Sequence, residues 1–367
     1  PLIQLGIMNF GLPDLNADMP TSMAPSVQLT QRVPFPGTLS LRGDMADASS
    51  GMAAAGAAEM EWRVRSRAAG LFYDLYAIDR QTEVMRETLA LLRDFQTIAR
   101  AMYSSGTGRQ ADVLRADVEV ARMDGEIGQM EAVRLSVAAH LNGVLNRSAD
   151  SSIGSPVLGD LPGSVPHHDT LVAWAEATRP LVARSRTGVD RASAGVALAR
   201  RMIWPDLTVG VVYGQRDRGQ GTERMGSAVI GFTLPIHAGS RQMAARDEAE
   251  AERAVALAGL ERVRAEVGAE IGALLAELQK NRSLVGLYRD EVLPEARITV
   301  ESALSSYRVG AVDFATLVDA QLSVNRYEGV LFRLLADYGK AIIGLESAVG
   351  RLLPPSEALI TESTGDS

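Results

Sequence analysis

The chain contains no cysteine. That removes disulfides, thiolate metal sites and cysteine nucleophiles from consideration. Only four histidines are available as bases, and no nucleophile–base–orienter grouping is visible. Aromatic residues make up 5% of the chain. Basic residues are outnumbered, 37 against 45 acidic, and the resulting net charge of −8 disfavours a phosphate backbone as partner. No run of about 18 apolar residues occurs, so no transmembrane helix is expected. No signal-peptide pattern opens the chain either. What is abundant is Ala, Leu, Val, Glu and Arg, the composition of long packed helices.

A repeat organises this material. Tyr307–Gln321, YRVGAVDFATLVDAQ, has a weaker copy at Tyr103–Asp117, YSSGTGRQADVLRAD, with 307 − 103 = 204. Gly310 aligns with Gly106, Ala315 with Ala111 and Ala320 with Ala116. Pro1–Ile7 matches Pro205–Val211 and Leu141 matches Leu345 at the same offset. Such an internal repeat means one architecture built twice. The expected organisation is a first repeat over 1–147, a linker over 148–166, a second repeat over 167–353 and a disordered tail over 354–367. Pro1 begins directly on a strand, whereas its twin Pro205 follows a complete helix, so the first repeat reads as lacking its N-terminal helix.

Alternation of apolar and polar residues predicts strands over 2–10, 27–33, 207–213 and 228–234. Between the last two, GQRDRGQGTERMG is polar and glycine-rich and reads as an exposed loop. Helices are predicted over 41–102, 111–146, 167–203, 240–306 and 314–352. Leu71, Ile78, Met85 and Leu92 recur every seven residues, with Leu75 and Leu89 beside them. Leu317, Val324, Leu331, Tyr338 and Leu345 repeat the pattern. Pro180 and Pro294 should break or kink their helices. Gly106 and Gly310 fall in sharp turns between helices, where positive φ is expected.

Four strands cannot close a barrel, since small closed barrels need about eight. Three chains would bring 4 × 3 = 12 strands, an even number suited to an outer-membrane barrel. With both strand pairs, both Tyr-x-x-Gly turns and both proline breaks in view, the sequence resembles the TolC-like outer-membrane efflux factors over almost its whole length. The resemblance implies a mainly α fold with a small β part. Long antiparallel helices would form a trimeric α-helical barrel, and four strands per chain would contribute to a 12-stranded outer-membrane β-barrel. It implies a passive, non-enzymatic channel without cofactor, set in the outer membrane of a Gram-negative bacterium and reaching into the periplasm. Its partners would be two further copies of itself, a periplasmic adaptor, an inner-membrane RND-type pump and outer-membrane lipid.

By the same resemblance, Ser105, Gly106 and Thr107, and Val309, Gly310 and Ala311, would be adaptor-contacting tips. Asp112, Tyr307 and Asp319 fall where the family places its periplasmic gate network and acidic ring. The chain departs from the pattern at Val312, where some members carry a gate-locking arginine, and at Thr316, where some carry a second ring aspartate. VPFPGTLSLRGDMA (residues 33–46) resembles the heavy-metal efflux branch, and Met8, Met19, Met23, Met45 and Met52 would suit soft ions. Methionines are more often gap fillers, however, and the adjacent His167 and His168 read as a solvated helix start. Asp319 lies two positions, about 200°, past Leu317, and so points away from the packed seam. A non-channel coiled-coil scaffold of the cell envelope is the alternative; it would have no use for four alternating strands.

Overall fold

The computed structural model describes residues 1–9, 23–159, 162, 164–217, 221–233 and 238–354. The expectations for Met19 and for the tail beyond residue 354 lie outside the described residues. The elements run β1 (Leu2–Met8), β2 (Met23–Val33), α1 (Thr38–Ser104), α2 (Gln110–Val144), α3 (His168–Thr178) and α4 (Pro180–Arg201). After these come β3 (Leu207–Asp217), β4 (Thr222–Phe232), α5 (Met243–Leu287), α6 (Leu293–Arg308) and α7 (Phe314–Val349). A mainly α chain with a small β part is therefore what forms.

The chain divides into two compact units, Pro1–Ala54 with Arg184–Arg262, and Ala55–Ala183 with Val263–Ser367. Each unit draws on both sequence repeats.

The first unit holds an antiparallel sheet in the order β1-β2-β3-β4. Alternation sorts its side chains into rows. Ile3, Leu29, Val211 and Ala228 are cross-strand partners, as are Leu5, Val27, Tyr213 and Gly226. On the opposite face Gln4, Gln28, Val212 and Ser227 align, and so do Gly6, Ser26, Gly214 and Met225. The apolar face is open: Leu5 is 78% exposed and Ile230 68%. Where each strand pair meets its helices, Asp206 accepts from the Phe35 amide at 3.0 Å and from Arg32 Nε at 2.9 Å. Phe35 and Trp204 stack with centroids 5.3 Å apart.

One expectation is overturned here. GQRDRGQGTERMG is not a loop throughout, because β3 continues to Asp217 and β4 starts at Thr222. The ladder persists because its polar residues face one another: Gln215 pairs with Arg224, and Arg216 with Glu223, whose carboxylate accepts from the buried guanidinium. Polarity marks a loop only when a cross-strand partner does not satisfy it. Likewise β2 begins at Met23 rather than Val27.

In the second unit the seven-residue pattern is the core. Met85, Leu89, Leu92 and Phe95 of α1 pack with Ala116, Met123 and Ile127 of α2, and with Tyr307, Phe314, Leu317 and Val318 around the α6–α7 turn. Both proline breaks occur. Pro180 starts α4 after Arg179 leaves helical geometry at ψ 122. There the buried Arg179 guanidinium donates to Glu270 at 2.6 Å, with Glu59 at 3.7 Å. Before Pro294 the helix widens into a π-helical turn, Tyr288–Val292. The proline ring would clash with the carbonyl four residues back, and the wider turn relieves that clash. α7 stops at Gly350, φ 76, whose Cα lies so near the Arg179 backbone that an added β-carbon would sit 2.7 Å from Arg179 Cα.

Candidate functional site

The two glycine turns are built alike. Gly106 has φ 76 and Gly310 φ 75. In the first, the Gly106 amide donates to Tyr103 O at 3.0 Å and the Thr107 amide to Met102 O at 3.0 Å. In the second, Gly310 donates to Tyr307 O at 2.9 Å and Ala311 to Ser306 O at 2.9 Å. These i−3 and i−5 bonds satisfy the last carbonyls of a helix, and the left-handed residue they require is why glycine stands there. The side chains around the turns are exposed, Val309 at 80%. Ser105 and Thr107 hydroxyls lie 2.9 Å apart, and each also donates to Met102 O. All six expected tip residues therefore sit on two exposed turns of the same geometry.

The aligned tyrosines do not share an environment. Tyr103 is 49% exposed, whereas Tyr307 is 3% exposed and meets Phe314 edge-on at 5.5 Å. Burial, and then the charge of Asp112, push the Tyr307 phenol above its ordinary value. Its buried hydroxyl has no hydrogen-bond partner among the described residues. Asp112 is half-buried in the first turn of α2, where a carboxylate is favoured by the helix dipole. The charge of Asp112 thus acts on Tyr307, with no hydrogen bond joining the two among the described residues.

Asp319 stands apart from them. It is exposed on α7, as its angle from Leu317 requires, and Arg115 Nη2 of α2 lies 3.4 Å from its Oδ1. Arg115 and Asp319 occupy equivalent positions of the two repeats, 204 apart. Arg115 was not singled out by sequence reasoning, although the repeat offset was sufficient to find it. Asp313 was also missed. It is the N-cap of α7, and its carboxylate accepts from the Thr316 amide at 2.9 Å and the Thr316 hydroxyl at 2.6 Å. Those bonds, with smaller contributions from Arg115 and Arg109, hold the Asp313 carboxyl below its usual range. The departure at Thr316 therefore has a local role in capping.

Other candidate features resolve simply. A β-carbon on Gly195 would lie 3.8 Å from Met45 Cε, and one on Gly188 3.7 Å from Met52 Cε, so these methionines fill space left by glycine. His168 Nε2 faces Gly268 O at 3.2 Å and Nδ1 faces Asp169. Among the described residues no cluster of three His, Asp or Glu could hold a metal.

A family model described as outer membrane efflux protein matches residues 171–351, the second repeat. Over that stretch the chain resembles the outer membrane efflux proteins. In sequence it is 28% identical over 182 residues to the pyoverdine export outer membrane protein OpmQ of Pseudomonas putida. That match covers 47% of this chain and only 37% of the relative's length. In fold the chain is similar to the outer-membrane channel OprN, with TM-score 0.81 and 18% identity, covering 95% of this chain and 80% of that one. The outer membrane protein VceC of Vibrio cholerae gives TM-score 0.81 at 16% identity, covering 96% and 87%. CusC gives 0.80 at 16%, covering 95% and 83%.

Proposed function

We propose that the chain is the outer-membrane channel of an efflux system, conducting substrate passively from the periplasm to the exterior. The observation that carries this reading is the sheet. It presents a broad apolar face to its surroundings, while among the described residues β1 and β4 each pair on one side only. An exposed apolar sheet with two free edges aggregates unless lipid covers the face and other copies complete the edges. Three copies closing a 12-stranded barrel meet both needs, with the apolar rows against lipid and the polar rows toward the lumen.

In this reading the repeats over 1–147 and 167–353, joined by the 148–166 linker, are the units of duplication. The two glycine turns are docking tips for a periplasmic adaptor, which couples the channel to an inner-membrane pump. Asp112 and Tyr307 belong to the periplasmic gate, and Asp319 to a ring at its mouth. Catalysis has no place in this scheme. The cargo is a small organic molecule or a metal ion. The export of pyoverdine named for OpmQ supports the organic class. A coiled-coil scaffold would leave the apolar face unexplained. The test is reconstitution into planar lipid bilayers. Discrete single-channel conductance steps are expected, and a protein that inserts without conducting contradicts the proposal.

A further inference from the structure

The geometry points to Arg115 as the residue that sets the charge selectivity of the channel mouth, by neutralising the Asp319 ring from within each subunit. This rests on the channel reading above and concerns which solutes pass. Arg115 on α2 and Asp319 on α7 face each other at 3.4 Å, with side chains 45% and 68% exposed. A pair so open to water adds little to stability. Its effect is on the field it projects. A lone carboxylate at a narrow axis attracts cations, whereas a carboxylate with a guanidinium 3.4 Å away projects only a dipole.

The same alignment continues one heptad along both helices. Arg122 and Arg326 are also repeat equivalents, 326 − 122 = 204. Both line one cleft of about 470 Å³ together with Asp319 and Glu126. Arg122 is paired with Glu119 and Glu126 at 3.2 and 3.6 Å. Arg326 donates to the Ser323 hydroxyl at 3.2 Å and lies over the Tyr327 ring. It has no carboxylate within ion-pair distance among the described residues. The mouth is therefore balanced in charge rather than acidic. Such a mouth admits zwitterionic and anionic organic solutes that a bare ring of three carboxylates repels.

The experiment is a charge cycle read as the potassium-to-chloride permeability ratio of single channels in planar bilayers. Arg115→Gln unmasks three carboxylates per trimer, and the ratio should rise by about twofold or more. Asp319→Asn leaves three unpaired guanidinium groups, and the ratio should fall by a similar factor. The double variant should return close to the unsubstituted ratio, and Arg115→Lys, which keeps the charge, should stay there. A purely structural pair would not shift the ratio in opposite directions. Channels that conduct normally but keep one ratio across Arg115→Gln and Asp319→Asn would overturn the inference while leaving the channel reading intact. An unsubstituted protein that forms no channels would overturn the channel reading itself.

Discussion

Asp313 shows how much one side chain does at the start of α7. Its carboxylate takes both the amide and the hydroxyl of Thr316, closing the first turn of a helix whose next residues are core. Because the folded carboxyl sits below its ordinary value, the stabilisation it provides is fully present above that value, 3.8. It is lost as pH falls through the lower folded value. Asp313→Ala should therefore lower the thermal midpoint at neutral pH, and the gap to the unsubstituted protein should narrow steadily below pH 3.8. Thermal melts followed by helical circular dichroism check this. An equal gap at neutral and strongly acidic pH would remove Asp313 from the capping role.

At the scale of elements, the molecule depends on helices that stop and restart sharply. Gly310 provides the stop between α6 and α7, and a β-carbon there would meet nothing within 4 Å. The obstacle to substitution is φ 75, which costs a non-glycine residue about 1–2 kcal/mol. The packed core begins beside the turn at Tyr307 and Phe314 and does not include it. Gly310→Trp should accordingly fold and assemble with modest loss of stability. It should also abolish adaptor-dependent efflux if the exposed turn is the docking surface proposed above. Efflux assays in cells beside a trimer assay on the purified protein separate the two. Normal efflux by this variant would show that the tip does not dock.

For the whole molecule, the sheet is the part that cannot be complete in one chain. Its apolar rows are exposed and its outer strands each lack a neighbour among the described residues. The core of the helical unit, in contrast, is filled within the chain: Leu317, Phe314 and Leu345 have no exposed surface. In the proposed channel, assembly is therefore driven by the sheet more than by the helices. Mass measurement in mild detergent should return three times the 39.2 kDa of the chain. A stable monomer in that detergent would contradict the shared barrel.

The amino-acid sequence by itself determined whatever depends on local spacing. Seven-residue repeats placed Leu75, Leu92 and Leu317 in the core. Glycines at offset 204 marked two left-handed turns, and prolines marked both helix breaks. Each of these is settled within a few neighbouring residues, so the chain's own order carries it. Tertiary structure decided the rest. Repeat alignment treats Tyr103 and Tyr307 as equals, yet only Tyr307 is covered, because Phe314 stands beside it where the first repeat has no aromatic. A polar run became strand because Arg216 found Glu223 across the hairpin. Arg115 meets Asp319 only because two helices, distant in the chain, pack side by side. Burial and ion pairing depend on what lies across the fold, and that partner is not written in the local pattern.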